Sequence, residues 1–192
     1  MSRNLEIEVK GLLSKDEYDK LLGFFPNQKP YVQTNFYIDT KGFAIKEKNC
    51  GLRIRQKGNK FELTLKIRQG EGKLEINQDI TENDFKMMAN CGVFPVGEVK
   101  EYIVNNLQIK EDEMFIFATM RTTRLDINYG ESLISLDMSE CFGEIDYEIE
   151  CESSSLLNAK HDIKEFLEKY ALKYKKFSAS KLRRAIERYK KQ

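Results

Sequence analysis

The 192-residue chain has no tryptophan, one histidine (His161), three prolines (Pro26, Pro30 and Pro95) and four cysteines. Each scarcity excludes something. Cys50, Cys91, Cys141 and Cys151 form no Cys-x-x-Cys pair and lie far from His161 in sequence, so a zinc site of the usual spacing is ruled out. Isolated thiols without a disulfide framework fit a reducing cytoplasm. One histidine, with no Ser-His-Asp or Cys-His context, makes nucleophile-triad chemistry untenable. The start, Met1-Ser2-Arg3-Asn4-Leu5-Glu6, carries no apolar core of a signal peptide. No apolar run approaches the ~20 residues of a membrane span. No linker, repeat or low-complexity tract divides the sequence, so residues 1–192 read as one domain. Lysine plus arginine (32) nearly equals aspartate plus glutamate (31), for a net charge of +1. That balance excludes a generic binder of nucleic acid, and any phosphate chemistry must come from local sorting of charge.

What is present is alternation. Eight segments alternate apolar and polar residues with the period of a half-buried strand, over about 4–10, 32–39, 51–57, 60–68, 73–80, 113–127, 132–138 and 145–152. Gly58-Asn59, Gly70-Glu71-Gly72, Tyr129-Gly130 and Phe142-Gly143 supply turns, and tight turns imply antiparallel neighbours. Ser14 with Glu17 predicts a capping box for a helix ending near Phe24, and Thr81 with Gly92 brackets a second. Further helices are expected over 97–106, 155–172 and 180–190. In the fourth of these helices Leu156, Ile163, Phe166, Leu167 and Tyr170 form an apolar stripe.

The ordinary reading of such strands is a sheet with one wet face. The sorting of charge argues otherwise. Glu148, Glu150 and Glu152 share one strand face without an intervening base, and Arg53 and Arg55 share another. Like charges ~4 Å apart cost on the order of 4 kcal/mol at an effective dielectric near 20. On an enclosed face, a bound ion would be needed to offset that. Glu6-x-Glu8 and Glu148-x-Glu150 are candidate oxygen ligands for a hard divalent cation. Arg53 and Arg55 offer forked donors to phosphate oxygens. Carboxylates for metal and cations for phosphate are the components of phosphoryl transfer. Eight antiparallel strands could close into a barrel with this charge inside and the apolar faces outside, under helices.

The ordered set Glu6-Ile7-Glu8-Val9-Lys10, Gln33 to Thr40, Gly51-Leu52-Arg53-Ile54-Arg55, Leu63-Thr64-Leu65-Lys66, Thr122-Thr123-Arg124, Leu136-Asp137, Asp146-Tyr147-Glu148-Ile149-Glu150 and Ser180-Lys181 spans nearly the whole chain. It resembles the CYTH superfamily of triphosphate tunnel metalloenzymes, in particular its single-domain bacterial YjbK-like branch. The resemblance implies a mainly β, α+β fold: a closed tunnel of eight antiparallel strands with helices outside and a helical C-terminus. It implies a hydrolase of inorganic triphosphate, or of a related triphosphate, with magnesium or manganese as cofactor. Glu6, Glu8, Asp137, Glu148 and Glu150 would be metal ligands. One of Glu6, Glu8, Asp137 and Glu150 would orient the attacking water. Lys10, Arg53, Arg55, Lys66, Arg124 and Lys181 would bind substrate. Glu62 and Glu75 are expected in the lumen without separable roles. Arg121 has the wrong parity and is expected in solvent. Asp126 shares the parity of Arg124 and is expected as a structural ion-pair partner outside the site, Asp146 and Glu152 as residues of the tunnel ends. Lys181 has the alternative of an ordinary helix-surface lysine, and Arg184, one turn on, stands between the two readings. A class IV type adenylate cyclase, a thiamine triphosphatase and a non-catalytic triphosphate-binding module are the alternative functions. The expected partner is a small-molecule triphosphate, with neither nucleic acid nor membrane, and a homodimer is the default assembly.

Overall fold

The computed structural model describes residues 2–70, 72–177 and 179–192. Nine strands form a single antiparallel sheet: β1 (Ser2–Glu6), β2 (Glu8–Leu13), β3 (Tyr31–Thr40), β4 (Cys50–Lys57), β5 (Lys60–Gln69), β6 (Gly72–Ile80), β7 (Met114–Tyr129), β8 (Ser132–Cys141) and β9 (Glu144–Glu152). Their order across the sheet is β1-β6-β5-β4-β3-β7-β8-β9-β2. This corrects the expected closed barrel of eight strands. The N-terminal strand is interrupted at Ile7: β1 pairs with β6, whereas β2 pairs with β9. The two edges are thus consecutive in sequence, and the sheet curls until they meet through one residue of backbone rather than through a ladder.

The hairpin signals hold. Lys57 pairs with Lys60 across Gly58-Asn59, and Tyr129 with Ser132 across Gly130-Glu131. Between β8 and β9, Phe142 and Gly143 both take positive φ (53° and 76°), as a tight hairpin of matching twist requires. Glu71, within the expected turn at 70–72, lies outside the described residues.

Helices cover the convex face. Leu52, Ile54, Leu63, Leu65 and Ile76 pack under Met88 of α3 (Glu82–Cys91) and Val99 of α4 (Glu98–Tyr102). Val9, Leu125, Leu136 and Ile149 pack under Tyr18 and Leu21 of α1 (Lys15–Gly23) and under Ile163, Phe166 and Leu167 of α5 (Leu156–Lys169). Each such fully buried aliphatic contributes roughly 1.5–3 kcal/mol. The expected caps are present: Ser14 and Thr81 each complete a capping box, and Gly92 ends α3 at φ 69°. The helix expected over 97–106 continues past α4 as a π-turn over Ile103–Leu107. Alternation did not reveal α2 (Ala44–Glu47).

The last helix, α6 (Lys181–Tyr189), takes the opposite face. Its Ala185 and Ile186 join Tyr37, Phe117 and Met120 in a separate apolar cluster. The chain reaches it along β2, where Phe177 N donates to Lys10 O (3.0 Å) and Leu12 N to Lys175 O (3.2 Å). Gly51 on β4 leaves room for this helix, since a Cβ there would lie 2.7 Å from Leu182.

Candidate active site

The concave face lines an open cavity of about 1610 Å³. Fourteen of the lining side chains are lysine or arginine and seven are glutamate, although the whole chain is almost neutral. The cavity therefore suits an anion.

Strand alternation delivers the charged residues. In β9, Ile149 and Cys151 are in the convex core while Glu148 and Glu150 face inward. Register then sets Asp137 opposite both Arg124 and Glu148, and Lys10 opposite Glu150. Carboxylate oxygens of Asp137, Glu148 and Glu150 all lie within 4.8 Å of one another. Asp137 and Glu148 have no exposed side-chain surface.

Four cations meet this triad. Arg124 forks onto Asp137 (Nε–Oδ1 2.7 Å, Nη2–Oδ2 2.5 Å) and reaches Glu150 Oε2 at 2.6 Å. Lys10 Nζ donates to Glu150 Oε1 at 2.5 Å. Lys181 Nζ donates to Asp137 Oδ2 at 2.7 Å, to Glu150 Oε1 at 2.8 Å and to Glu148. Arg184 donates to Glu148 and, through Nε, to Asp146 Oδ2 at 2.8 Å. The sorted carboxylates thus have protein cations as partners; a bound ion is not needed to offset their repulsion. Burial opposes charge on Glu150 and Asp137, yet Lys10, Lys181 and Arg124 hold Glu150 well below the usual carboxylate range, and Lys181 and Arg124 hold Asp137 low.

Glu6 and Glu8 form a second acidic group, beside the triad. Lys66 Nζ contacts Glu6 at 2.7 and 2.9 Å and also pairs with Glu75; Lys73 Nζ contacts Glu8 Oε1 at 2.5 Å and Glu6 at 3.6 Å. Burial pushes the Glu8 carboxyl up, but Lys10 first, then Lys73 and Lys66, brings it down to about 2. Lys10, 3.2 Å from Glu8 Oε1, links the two groups.

Arg53 and Arg55 differ from every other basic residue expected at the site: among the described residues neither has a carboxylate partner. Arg55 Nε donates to Asn35 Oδ1 at 3.1 Å, and Arg53 Nε is buried without a hydrogen-bond partner among the described residues. Burial, then the like charges of Arg53 and Arg124, lowers Arg55 to about 10. Lys66 is lowered by burial and by Arg53.

Other expectations divide. Glu75 faces the cavity, and Glu62 accepts from Thr64. Arg121 is exposed. Asp126 accepts from Tyr31 and Ser135 (both 2.7 Å) and makes no ion pair among the described residues. Asp146 pairs with Arg184 and Arg188, and Glu152 is exposed. His161 is exposed on α5. Cys91 is exposed, unlike the other three cysteines. Lys181 and Arg184 are buried, not helix-surface residues. Sequence reasoning passed over Lys73 and Arg188. Lys73 has the parity of Glu75, and Lys181, Arg184 and Arg188 stand at i, i+3 and i+7, a basic stripe at helical spacing.

A family model described as CYTH domain matches residues 4–186. "Putative triphosphatase YjbK" of Bacillus subtilis (strain 168) is 33% identical over 174 residues, 90% of each chain. A crystal structure of "a putative adenylate cyclase" from Bacillus halodurans superposes with a TM-score of 0.88 at 31% identity, covering 96% of this chain and 98% of that one. A Hippeastrum protein, described as a "putative adenylyl cyclase" with dominant triphosphatase activity, shares the fold at TM-score 0.80 and 24% identity over 95% of each chain. No helix among the described residues is long and apolar enough to cross a membrane.

Proposed function

The chain belongs to the CYTH domain family, and on that premise we propose that it is a divalent-metal-dependent triphosphatase, hydrolysing inorganic triphosphate or a related triphosphate. The observation that carries the reading is the carboxylate-free pair Arg53 and Arg55 in a cavity whose other basic side chains of the site are engaged by carboxylates. Two adjacent guanidiniums that no carboxylate among the described residues contacts directly are a cost to the free protein that a polyphosphate would offset. The naming of the Bacillus subtilis relative supports the same reaction.

The donor chemistry fits the cofactor. Asp137, Glu148 and Glu150 offer clustered hard oxygens, and Glu6 and Glu8 offer more nearby, as magnesium or manganese prefers. When bound, such an ion would neutralise charge on phosphate oxygens. In this reading Arg53, Arg55, Lys66 and Arg124 grip the phosphate chain, joined by Lys10 and Lys181, and hold it in line for attack. Glu8 and Glu150, ionised and open to the cavity, supply the carboxylate that orients the water. Asp137 acts from behind them, through Arg124. The three buried thiols, without disulfides, agree with a cytoplasmic site of action.

The test is phosphate release from tripolyphosphate, ATP and thiamine triphosphate, with magnesium, manganese or chelator. Metal-dependent release from tripolyphosphate, abolished in Glu150→Gln, is expected. Cyclic AMP from ATP, with tripolyphosphate untouched, would replace this reading with the cyclase. Tight binding without turnover would leave a triphosphate-binding module.

A further inference from the structure

We propose that Lys181 is the resident counter-cation of the Asp137–Glu148–Glu150 triad and that it leaves the triad for the phosphate chain when triphosphate enters. A divalent cation then gains these carboxylates only together with substrate. The inference rests on the triphosphatase reading and adds an order of binding to it.

The position of Lys181 is the first argument. Its ammonium meets all three carboxylates, at 2.7 Å from Asp137 and 2.8 Å from Glu150, with Glu148 as the third. That is where a cation shared by the triad would sit. Lys181 lines the cavity, whereas the side chains of Asp137 and Glu148 are wholly covered. The lysine therefore stands between the cavity and two of the three carboxylates, and an ion arriving from the cavity reaches them only if it moves.

Charge gives the second argument. Lys10, Arg124, Lys181 and Arg184 already neutralise the triad. A divalent ion added without loss of a cation would leave a large buried excess of positive charge. A triphosphate removes that excess and offers Lys181 new acceptors.

The third argument is which cation moves. Arg124 is fixed by a two-pronged fork on Asp137 and by the β7–β8 register. Arg184 is also held by Asp146, by the Ala179 carbonyl (2.9 Å) and over the Phe177 ring (5.1 Å). Lys10 is shared with Glu8. Lys181 has no partner beyond the triad among the described residues, and its four-carbon stem turns without moving α6.

Calorimetric titration of Mn²⁺ into the metal-free protein, without triphosphate, tests this. Lys181→Met is expected to bind Mn²⁺ at least about tenfold more tightly than the wild type, and Lys181→Arg no more tightly. Equal affinity in wild type and Lys181→Met would overturn the inference while leaving the metal site intact. No Mn²⁺ binding by Lys181→Met, with wild-type phosphate release still metal-dependent, would overturn it by removing the triad as the metal site and would leave the triphosphatase reading standing. Should Lys181→Met not fold, lysine-ammonium NMR of the wild type decides. The Lys181 signal is expected to shift when tripolyphosphate is added in chelator, where no turnover occurs; an unchanged signal would overturn the proposal.

Discussion

Arg55 holds a charge that no carboxylate among the described residues contacts. Among the described residues its one side-chain hydrogen bond goes to a neutral amide, Asn35, and Arg53 and Arg124 repel it. Replacing it by methionine removes that repulsion and the desolvation of the guanidinium. Arg55→Met is therefore expected to melt at or above the wild-type temperature without ligand. Its affinity for tripolyphosphate is expected to fall about tenfold to a hundredfold, the loss of a charge-assisted contact of ~1.5–3 kcal/mol. Thermal melts with and without tripolyphosphate check both, and a lower melting point in the free variant would make Arg55 a structural residue. Glu8 has the opposite character. Its carboxyl is held near 2 by Lys10 and Lys73 against an ordinary 4.5, so below about pH 4.5 the unfolded chain takes up a proton that the folded chain refuses. Stability from this group is present above pH 4.5 and is lost as pH falls towards 2. Metal-free Glu8→Gln should show a flatter decline in melting temperature over that window; an identical slope would remove Glu8 from the acid response. The direction of these side chains was legible from parity alone. Their partners were not: alternation says which face a residue takes, but Lys66 on Glu6 depends on the register of β1 on β6 and of β6 on β5, and Lys73 on Glu8 depends on the break at Ile7 that carries the chain from β1 to β2.

Helix α6 shows how an element can be legible in outline and not in role. Ser180 as N-cap and a helix to about residue 190 follow from the sequence, but nothing local says that the helix enters the charged face. That comes from the strap at 175–177 bonded to β2 and from Gly51, which gives Leu182 its place. Buried Lys181, Arg184 and Arg188 are intelligible only once Glu148 and Asp146 are opposite them. Ser180 Oγ accepts from Arg183 N at 3.1 Å and fixes the turn that carries Lys181. Ser180→Ala is expected to cost about 1 kcal/mol, hence about 2–4 °C in melting temperature for a chain of this size. Hydrogen exchange should rise in α6 and remain unchanged in α5; a uniform rise would mean that α6 is not a separately held element. The short α2 was illegible for another reason. Four residues carry no period, and the helix is fixed from outside by buried Asp39, whose carboxylate accepts from the amides of Thr40, Ile45 and Lys46.

At the scale of the molecule, local period-2 patterning specifies strands and faces but not closure. An eight-stranded barrel and a nine-stranded curled sheet differ at Ile7 alone, where one strand becomes two, and no residue pattern marks that break. The distribution of charge was legible only in part for the same reason. The chain carries 32 basic and 31 acidic side chains, yet the cavity takes fourteen basic against seven acidic, so the remaining surface is net acidic. A basic concavity with low-dielectric walls in an acidic shell focuses field towards its interior and draws anions in. Such focusing is screened as the Debye length shortens from ~30 Å at 0.01 M salt to ~8 Å at 0.15 M. For a triphosphate substrate, kcat/KM should therefore fall with added potassium chloride while kcat changes little, because the groups that act on bound substrate are shielded from bulk salt by burial. Steady-state rates on tripolyphosphate across this range check it. A fall in kcat of equal size would point to salt acting on the buried ion pairs of the triad, and a flat kcat/KM would mean that capture depends on contact with Arg53 and Arg55 alone, without the long-range field.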